Sequence, residues 1–270
     1  MKYPYGTNIL ITGASSGIGL AAAGLFAGAG YIVYAASRHC DESIARQSSL
    51  PGSIVNIRMD VCDEESVRLA HEMIGEVGII LHCAGMGIAG AAEDTPEQAV
   101  RRQFDVNYFG VLRVNRFFLP GMRRRGSGLV LAMSSVAGRV PLPYQSHYSA
   151  TKYALDTYME SLRMEAGRFG VRAALIEPGD TRTGFTAARE MAMPEGSPYR
   201  DACKGAVARM ARDEQNGAPP LLPAKAALKL AGKPNPPVRV TVGFAYKTIM
   251  FLRRVMPARL FEKVLTGLYQ

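Results

Sequence analysis

Short apolar runs rich in branched side chains alternate along this chain with stretches of helical length, and this alternation limits the fold more than any other feature. A strand buried on both faces is apolar at consecutive positions, whereas a helix packed on a sheet is apolar on one side only. The pattern therefore predicts parallel strands joined by helical crossovers. The predicted strands are Asn8 to Thr12, Tyr31 to Ala36, Ser53 to Met59, Ile79 to Cys83, Leu129 to Met133, Val171 to Ile176 and Val238 to Val242.

Right-handed crossovers wind such a sequence into a Rossmann-type α/β fold, a doubly wound parallel sheet of about seven strands with helices on both faces and ligands at the carboxyl ends of the strands. We expect a single domain over residues 1–244, with residues 245–270 as a helical C-terminal extension of it. Residues 180–223 are rich in Gly, Pro, Met and Ala, so we expect a mobile flap without a strand there. The predicted helices include Ile18 to Ala29, Glu64 to Gly75, Pro96 to Arg125 and Tyr148 to Gly170.

Composition excludes several classes of protein. The four cysteines, Cys40, Cys62, Cys83 and Cys203, are far apart and form no C-x-x-C pair, which argues against a metal site and a disulfide framework. The formal net charge is +9, but Trp is absent and no aromatic-basic interleaving is seen, so nucleic acid is not the expected partner. The basic excess fits either solvated helix ends or an anionic partner. The chain shows no signal peptide and no apolar run of membrane-spanning length, so we expect a cytoplasmic protein.

A glycine-rich turn follows the first predicted strand and opens the first predicted helix. Gly13 permits a tight turn, Gly17 lets the backbone approach a diphosphate, and Gly19 lets helix and strand pack closely. The helix N-terminus offers free N–H groups to an anion. The alternative is a purely structural turn. The predicted dinucleotide-binding residues of this turn are Gly13, Ser15, Ser16, Gly17, Ile18 and Gly19.

The end of the second predicted strand distinguishes the two nicotinamide dinucleotides. A carboxylate there would bind the ribose hydroxyl of NAD, but this chain has Ser37 and Arg38. Arg38 would pair with the additional phosphate of NADP and Ser37 would donate to it. Asp41 lies too far beyond the strand to select NAD. The sequence thus favours NADP(H) as cofactor, with a surface arginine as the alternative interpretation.

Ser135, Tyr148 and Lys152 form a second constellation. Tyr148 and Lys152 are four residues apart in a helical stretch, so their side chains share one face. A neighbouring ammonium and an oxidised nicotinamide would both lower the pKa of the phenol toward neutrality. Ser135 follows a predicted strand, where its hydroxyl would orient a carbonyl oxygen. A Tyr-x-x-x-Lys pair by itself is common on surface helices.

Together these motifs resemble the classical short-chain dehydrogenase/reductase family over residues 8 to 185, most closely its 17β-hydroxysteroid and retinol dehydrogenases. The resemblance implies that Ser135, Tyr148 and Lys152 are catalytic, that Asn107 holds a water beside the lysine, and that Asn107, Tyr148 and Lys152 also contact the cofactor. It also implies a homodimer built on the helices that carry Asn107 and Tyr148. Further cofactor contacts implied by the resemblance are Asp60 and Val61, then Cys83, Ala84 and Gly85, and then Pro178, Gly179, Thr181 and Thr183.

One departure from the family pattern stands out, because His82 and Cys83 replace a pair of asparagines. Cys83 cannot reproduce the hydrogen bonds of an amide, so we expect some loss of local rigidity without loss of activity. His82 lacks a second metal ligand at suitable spacing and is interpreted as a strand-end histidine. His147 is interpreted as a pocket or surface residue, because adjacent side chains on a helix diverge.

The sequence therefore predicts an oxidoreductase that interconverts a carbonyl and an alcohol. A lipophilic substrate such as a steroid or retinoid is the first expectation, a 3-oxoacyl thioester the second and a small polyol the third. A protein that binds NADP without catalysis is the alternative of a different class. The expected pocket residues are Met86, Val140, Leu142, Tyr144 and Phe185, with Pro141, Met191 and Met193 as further candidates.

The C-terminal extension interleaves apolar residues with Lys247, Arg253 and Arg254. Such a stretch is typical of a segment that lies on an anionic membrane surface. The sequence favours instead a terminal helix that packs on its own domain or on a partner subunit. Weak contact with a membrane surface is therefore one of three interpretations of this segment.

Overall fold

The computed structural model describes residues 3–39 and 51–269, so Cys40 and Asp41 lie outside the described residues. Seven strands form one parallel sheet, and two further strands, β5 and β8, pair separately. The strands are β1 (Asn8–Thr12), β2 (Ile32–Ser37), β3 (Ser53–Arg58), β4 (Ile79–His82), β5 (Ile88–Ala89), β6 (Gly128–Met133), β7 (Val171–Pro178), β8 (Glu190–Met191) and β9 (Arg239–Val242).

The main sheet has the strand order β3-β2-β1-β4-β6-β7-β9. Strands β4 and β6 are buried at every residue, as expected for central strands covered on both faces. The predicted Rossmann-type fold is confirmed, and each predicted strand overlaps an observed one. The chain reverses its winding direction between β1 and β4, and this reversal is where such sheets open a crevice for ligands.

Helices cover both faces of the sheet. On one face Phe26 and Leu230 belong to the same buried cluster, and on the other Val67, Phe118 and Leu155 do. These contacts place α1 and α7 on the first face and α2, α4 and α5 on the second. The helices are α1 (Gly17–Gly28), α2 (Glu64–Ile74), α3 (Glu97–Phe104), α4 (Gly110–Arg125), α5 (Ser146–Gly167), α6 (Arg200–Gln215), α7 (Leu221–Ala231), α8 (Phe244–Val255) and α9 (Ala258–Tyr269).

The long predicted helix from Pro96 to Arg125 is interrupted. A single π-helical turn, Asp105–Phe109, separates α3 from α4. Widened turns of this kind are frequent at functional sites, because they rotate one side chain out of the regular helical pattern. Here the turn carries Asn107, which is buried.

The segment expected to be a flap without a strand contains regular structure, so that part of the prediction is wrong. Strand β8 pairs in parallel with β5, and helix α6 buries Cys203, Ala206 and Met210 along one side. Helix α7 then begins at Leu221, inside the last residues assigned to the flap. The Pro and Gly content that indicated a loop lies mostly at the junctions between these elements.

The C-terminal extension folds back as the helices α8 and α9. Phe261 is buried against Val136 and Val140, beside the loop that follows β6. Within residues 3–39 and 51–269, no helix combines the length and the apolar character needed to cross a bilayer. Because Phe261 packs against Val136 and Val140, one side of the extension is attached to the domain.

Candidate active site

The glycine turn lies at the carboxyl end of β1, where the sheet reverses its winding. Gly13 has a φ of +66°, and a Cβ on it would lie 2.7 Å from the Ala84 nitrogen. A Cβ on Gly19 would lie 2.3 Å from the Gly13 carbonyl oxygen. The turn is thus built backbone against backbone, as a diphosphate cradle requires. Ser15, Ser16 and Ile18 complete it, and Ser16 is the residue before α1.

Thr183, from the segment after β7, lies opposite this turn. A Cβ on Gly17 would be 3.3 Å from the Thr183 Cβ, so the two segments approach closely. Thr181 donates a hydrogen bond to the Gly179 carbonyl at 2.9 Å, which stabilises the same loop. Two of the segments expected to hold a dinucleotide therefore face each other, and the glycines of the turn leave room for a diphosphate between them.

The residues expected to select NADP lie at the end of β2. Arg38 is exposed, but the Ser37 hydroxyl donates to the His39 carbonyl at 2.6 Å. Ser37 has one hydroxyl proton, so it donates to a phosphate only if this bond is exchanged. Asp60 accepts from the Cys62 nitrogen at 2.9 Å, which shapes the turn after β3, and Val61 is buried beside it.

The predicted catalytic residues are brought together. Helix α5 carries Tyr148 in its first turn and Lys152 one turn later, and Ser135 follows β6 directly. The Ser135 hydroxyl accepts from the Ala137 nitrogen at 3.1 Å and is hydrogen-bonded to Tyr148. The Lys152 Nζ lies 5.7 Å from the centre of the Tyr148 ring.

Burial raises the pKa of Tyr148 to about 12, although the hydrogen bond with Ser135 lowers it in part. This direction is opposite to the expectation from the sequence, which relied on the Lys152 ammonium and an oxidised nicotinamide. The Lys152 ammonium donates to the Met133 carbonyl at 2.9 Å. Burial therefore outweighs the neighbouring charges, and the phenol is neutral at pH 7.

Lys152 is itself buried, and burial lowers its pKa to about 8 while the Asp156 carboxylate raises it in part. Asp156 is buried one helical turn beyond Lys152 and accepts from the Ser134 hydroxyl at 2.5 Å. Arg239 contacts Asp156 at 3.3 Å and also pairs with Glu160 and Glu177. A charged network thus joins β9, α5 and the residue before Ser135.

Asn107 is fixed by three hydrogen bonds. Its side-chain nitrogen donates to the Met86 carbonyl at 2.9 Å and to the Thr151 hydroxyl at 3.1 Å. Its side-chain oxygen accepts from the Met86 nitrogen at 2.8 Å. Asn107 therefore positions the segment after β4, which includes Gly85, against helix α5.

The end of β4, where this chain departs from the family pattern, is hydrogen-bonded by Thr12 and Asn115. The Thr12 hydroxyl accepts from the backbone nitrogens of Cys83 and Ala84, both at 3.2 Å, and so links β1 to the end of β4. His82 is buried, and its Nε2 lies 3.0 Å from the Asn115 side-chain oxygen. Burial lowers the pKa of His82 to about 4, so it is neutral at pH 7. His82 is a strand-end histidine, as the sequence indicated.

The expected pocket residues fall into two groups. Phe185 lies against the ring of Tyr148, with ring centres 5.6 Å apart, and it occupies the space that a side chain at Gly87 would need. Met86 and Leu142 are partly exposed in adjacent loops, and Tyr144 has a φ of +59°. Val140 is only 3% exposed and packs with Phe261 under the extension, away from this group.

Two functional candidates were missed by sequence reasoning. The guanidinium of Arg189 is buried near Phe185 in an ion pair with Glu214. From α8, the Tyr246 hydroxyl donates to the Asp180 carboxylate and accepts from the Asp180 nitrogen at 2.9 Å. Neither residue belongs to a sequence motif, and their positions depend on how distant segments fold back on the cleft.

Comparison with known proteins identifies relatives over most of the chain. The chain is 37% identical over 241 residues to a 3-ketodihydrosphingosine reductase of Bacteroides thetaiotaomicron, with 87% of each protein covered. It is 40% identical over 190 residues to human 17-beta-hydroxysteroid dehydrogenase type 1, covering 66% of this chain and 58% of that protein. A short-chain dehydrogenase structure from Streptomyces avermitilis matches with a TM-score of 0.81 and 29% identity, over 97% of this chain and 98% of that one.

Related structures differ in the cofactor they contain. An alcohol dehydrogenase of Thermococcus sibiricus complexed with 5-hydroxy-NADP is 27% identical, with a TM-score of 0.71 over 87% of this chain and 95% of that one. A short-chain dehydrogenase/reductase of Burkholderia phymatum in complex with NAD is 25% identical, with a TM-score of 0.78 over 93% of this chain and 92% of that one. The model of the short chain dehydrogenase family matches residues 7–213. The chain therefore belongs to the short-chain dehydrogenase/reductase family of oxidoreductases.

Proposed function

We propose that this protein is an NADP(H)-dependent oxidoreductase that interconverts a ketone or aldehyde and an alcohol, with Tyr148 as general acid and base. The observation that carries the proposal is the hydrogen bond between Ser135 and Tyr148, with Lys152 one helical turn away in the same cleft. A nicotinamide bound there would supply or accept the hydride.

Each side chain has a separate role in the proposed reduction. Ser135 donates a hydrogen bond to the carbonyl oxygen and holds it beside the phenol. Tyr148 then gives its proton to the same oxygen as negative charge develops. Lys152 binds the ribose of the cofactor and, as an ammonium, stabilises the phenolate that the proton transfer leaves behind. Asn107 keeps the loop after β4 in place beside Lys152.

The raised pKa of Tyr148 favours the reductive direction at neutral pH. A phenol whose pKa is about 12 is fully protonated at pH 7 and is ready to donate. Oxidation of an alcohol needs the phenolate as base, and its population rises with pH. We therefore expect reduction to predominate near pH 7 and oxidation to gain as the pH is raised.

NADP is the proposed cofactor because Arg38 stands exposed at the carboxyl end of β2, where an additional phosphate would lie. Exchange of Arg38 for Asp would supply the carboxylate that binds an unphosphorylated ribose. The proposed substrate is lipophilic, such as a steroid, a retinoid or another long-chain ketone. Phe185, Met86 and Leu142 support this, as do the relatives named for a hydroxysteroid and for ketodihydrosphingosine.

The proposed assembly is a homodimer through the helices that carry Asn107 and Tyr148. On these elements Phe109 is 46% and Met164 75% exposed, so apolar side chains are available for contact with a second copy. The outer surface of α8 and α9 is proposed to contact anionic membrane surfaces weakly. Its apolar residues Phe244, Phe251 and Val255 are exposed beside the exposed basic residues Lys247 and Arg254.

The Tyr148→Phe variant tests the proposed function. It removes the proton donor and keeps the ring against Phe185, so turnover of NADPH with a ketone panel should fall by about 100-fold or more. Binding of NADPH, measured by its fluorescence, should change little. Turnover within about tenfold of the parent, with NADPH still bound, would show that Tyr148 is not the acid. A parent protein that binds NADPH and reduces no ketone would favour the binding-protein alternative.

A further inference from the structure

Arg189 is a buried cation in the segment between Thr183 and β8. Its side chain is 2% exposed, and its Nη2 contacts the carboxylate of Glu214, which is 16% exposed. Glu214 also accepts a hydrogen bond from the Thr186 hydroxyl at 2.5 Å. Burying a guanidinium is costly unless all of its N–H donors are hydrogen-bonded. The partners of the other two nitrogens, Nε and Nη1, therefore have to be identified.

Two nitrogens of Arg189 have no hydrogen-bond partner among the described residues. Both Nε and Nη1 are buried without an acceptor among the described residues. Buried polar groups almost always have a partner, and an unsatisfied one next to a charge is particularly unfavourable. The ion pair with Glu214 alone therefore does not explain why this side chain is an arginine, since a lysine would supply the charge.

The guanidinium of Arg189 lies near the Phe185 ring, which in turn lies next to Tyr148. The Cζ of Arg189 is 5.8 Å from the centre of the Phe185 ring, and that ring is 5.6 Å from the Tyr148 ring. The charges of both Arg189 and Glu214 act on the pKa of Tyr148, in opposite directions. Phe185 thus acts as an apolar spacer between the reacting position and the guanidinium.

The charge of the pair decides which ligand fits. Glu214 already balances the positive charge of Arg189, so an additional anion would leave an excess negative charge beside a partly buried carboxylate. A neutral oxygen acceptor satisfies the free N–H groups without that penalty. We propose that Arg189 binds a second, neutral oxygen of the substrate, such as an ester, amide or ketone carbonyl, separated from the reacting carbonyl by about the width of Phe185.

This inference rests on the proposed function and narrows its substrate class to ketones with a remote oxygen acceptor. A pair of methyl ketones of equal length tests it, methyl 7-oxooctanoate with a terminal ester and 2-decanone without one. For the parent protein, kcat/KM should favour the ester by about tenfold, the effect of one hydrogen bond to a charged donor. In Arg189→Met that preference should disappear, chiefly through KM, while 2-decanone is reduced at nearly the parental rate.

Two further variants separate this role from a structural one. Arg189→Lys keeps the charge that faces Glu214 but lacks the Nε and Nη1 donors, so it should fold as the parent does and still lose the preference. Arg102→Met removes an exposed arginine paired with Glu190 in the same segment, and it should keep the preference. Retention of the preference in both Arg189 variants would overturn the inference. So would a parental preference for the free acid, 7-oxooctanoate, over its ester.

Binding measurements make the test independent of catalysis. In Tyr148→Phe protein loaded with NADPH, calorimetry should give about tenfold tighter binding of the ester than of 2-decanone, and Arg189→Met should abolish the difference. Equal binding of both ketones would overturn the inference even if the parent protein reduces them. A rise in the dissociation constant of NADPH itself, with no difference between the two ketones, would overturn it too, because the donors would then serve the cofactor.

Discussion

Among single residues, Gly19 shows that the glycine turn has no space for a side chain at this position. In Gly19→Ala the new Cβ would lie 2.3 Å from the Gly13 carbonyl oxygen, and neither backbone can retreat without opening the turn. We expect NADPH binding to weaken by about 100-fold or more, since the cradle itself is displaced. Fluorescence titration measures this change.

Gly24 provides the matched control within the same helix. It is exposed, and a Cβ there meets nothing within 4 Å. Gly24→Ala should leave NADPH binding unchanged and stabilise the fold by about 0.5–1 kcal/mol, because alanine loses less backbone entropy in a helix. Equal loss of NADPH binding in both variants would show that the lack of space at Gly19 is not the cause of the loss.

His82 should make the fold sensitive to acid. Its pKa is lowered from 6.5 to about 4 in the folded protein, so the unfolded chain takes up a proton first as the pH falls. Stability from this residue is complete above pH 6.5 and is lost between 6.5 and about 4, by roughly 3 kcal/mol in all. Urea denaturation of His82→Gln, which does not titrate, should show a smaller loss over this range.

Asp156 changes the stability in the opposite direction as the pH falls. The pH profile of His82→Gln must therefore be compared with that of the parent protein. Its pKa is raised from 3.8 to about 6, so the folded protein takes up a proton first and gains stability over that range as the pH falls. The difference in unfolding free energy between His82→Gln and the parent at each pH gives the contribution of the histidine alone. Identical pH profiles for the two proteins would show that His82 is not kept neutral by burial.

The residues proposed to be catalytic could be found from the sequence, but two residues near them could not. Ser135, Tyr148 and Lys152 belong to one motif with fixed spacing, and local structure brings them together. Arg189 and Tyr246 reach the cleft only because the segment after β7 and the C-terminal extension fold back over it. The pKa of Tyr148 was predicted in the wrong direction, since burial is a property of the whole fold.

At the scale of elements, the main strands could be predicted because burial on both faces leaves a continuous apolar run. Strands β5 and β8 have two residues each, too short for any periodic pattern. Helix α7 was not among the predicted helices, and it contains Pro223. In the first turn of a helix a proline is tolerated, since its missing N–H has no intrahelical partner there.

Helix α8 supports the loop after β7 through Tyr246. The ring lies over Gly179, where a Cβ would come within 2.2 Å of it, and the hydroxyl makes two hydrogen bonds with Asp180. Tyr246→Phe keeps the ring and removes these bonds, one of them to a carboxylate. We expect a loss of about 1–3 kcal/mol in stability and severalfold weaker NADPH binding, measured by urea denaturation and fluorescence.

Tyr153→Phe is the control for this prediction. It removes a hydrogen bond from an exposed phenol to the Arg139 carbonyl and leaves the bonds between Tyr246 and Asp180 in place. NADPH binding should remain at the parental level in that variant. If Tyr246→Phe also binds NADPH as the parent does, α8 does not support the cofactor loop.

At the scale of the whole molecule, the extension adds an apolar and basic surface to a chain of net charge +9. On α8, Phe244, Phe251 and Val255 share one face and are 87%, 63% and 56% exposed. Lys247 and Arg254 lie beside them and are also exposed. Apolar side chains flanked by cations suit a bilayer that carries anionic lipids, whereas a symmetric dimer through this face would oppose like charges.

Vesicle co-sedimentation checks this surface. The protein should bind vesicles containing phosphatidylserine, less so at high salt, and Phe251→Ser/Val255→Ser should weaken binding by about tenfold or more. These substitutions are preferable to removal of residues 245–270, because removal would uncover Val140. Met73→Ser on α2, where the side chain is 66% exposed, should have no effect. Equal binding by all proteins would exclude a role for this face.

The succession of Lys152 and Asp156 along one helix sets two limits on the working pH. Asp156 takes up a proton below about 6, and Lys152 loses one above about 8. Between these two values both groups carry their charges, and the carboxylate helps to keep the amine cationic. Outside this interval the amine changes its bonding or its charge, so we expect turnover to be greatest between about pH 6 and about pH 8.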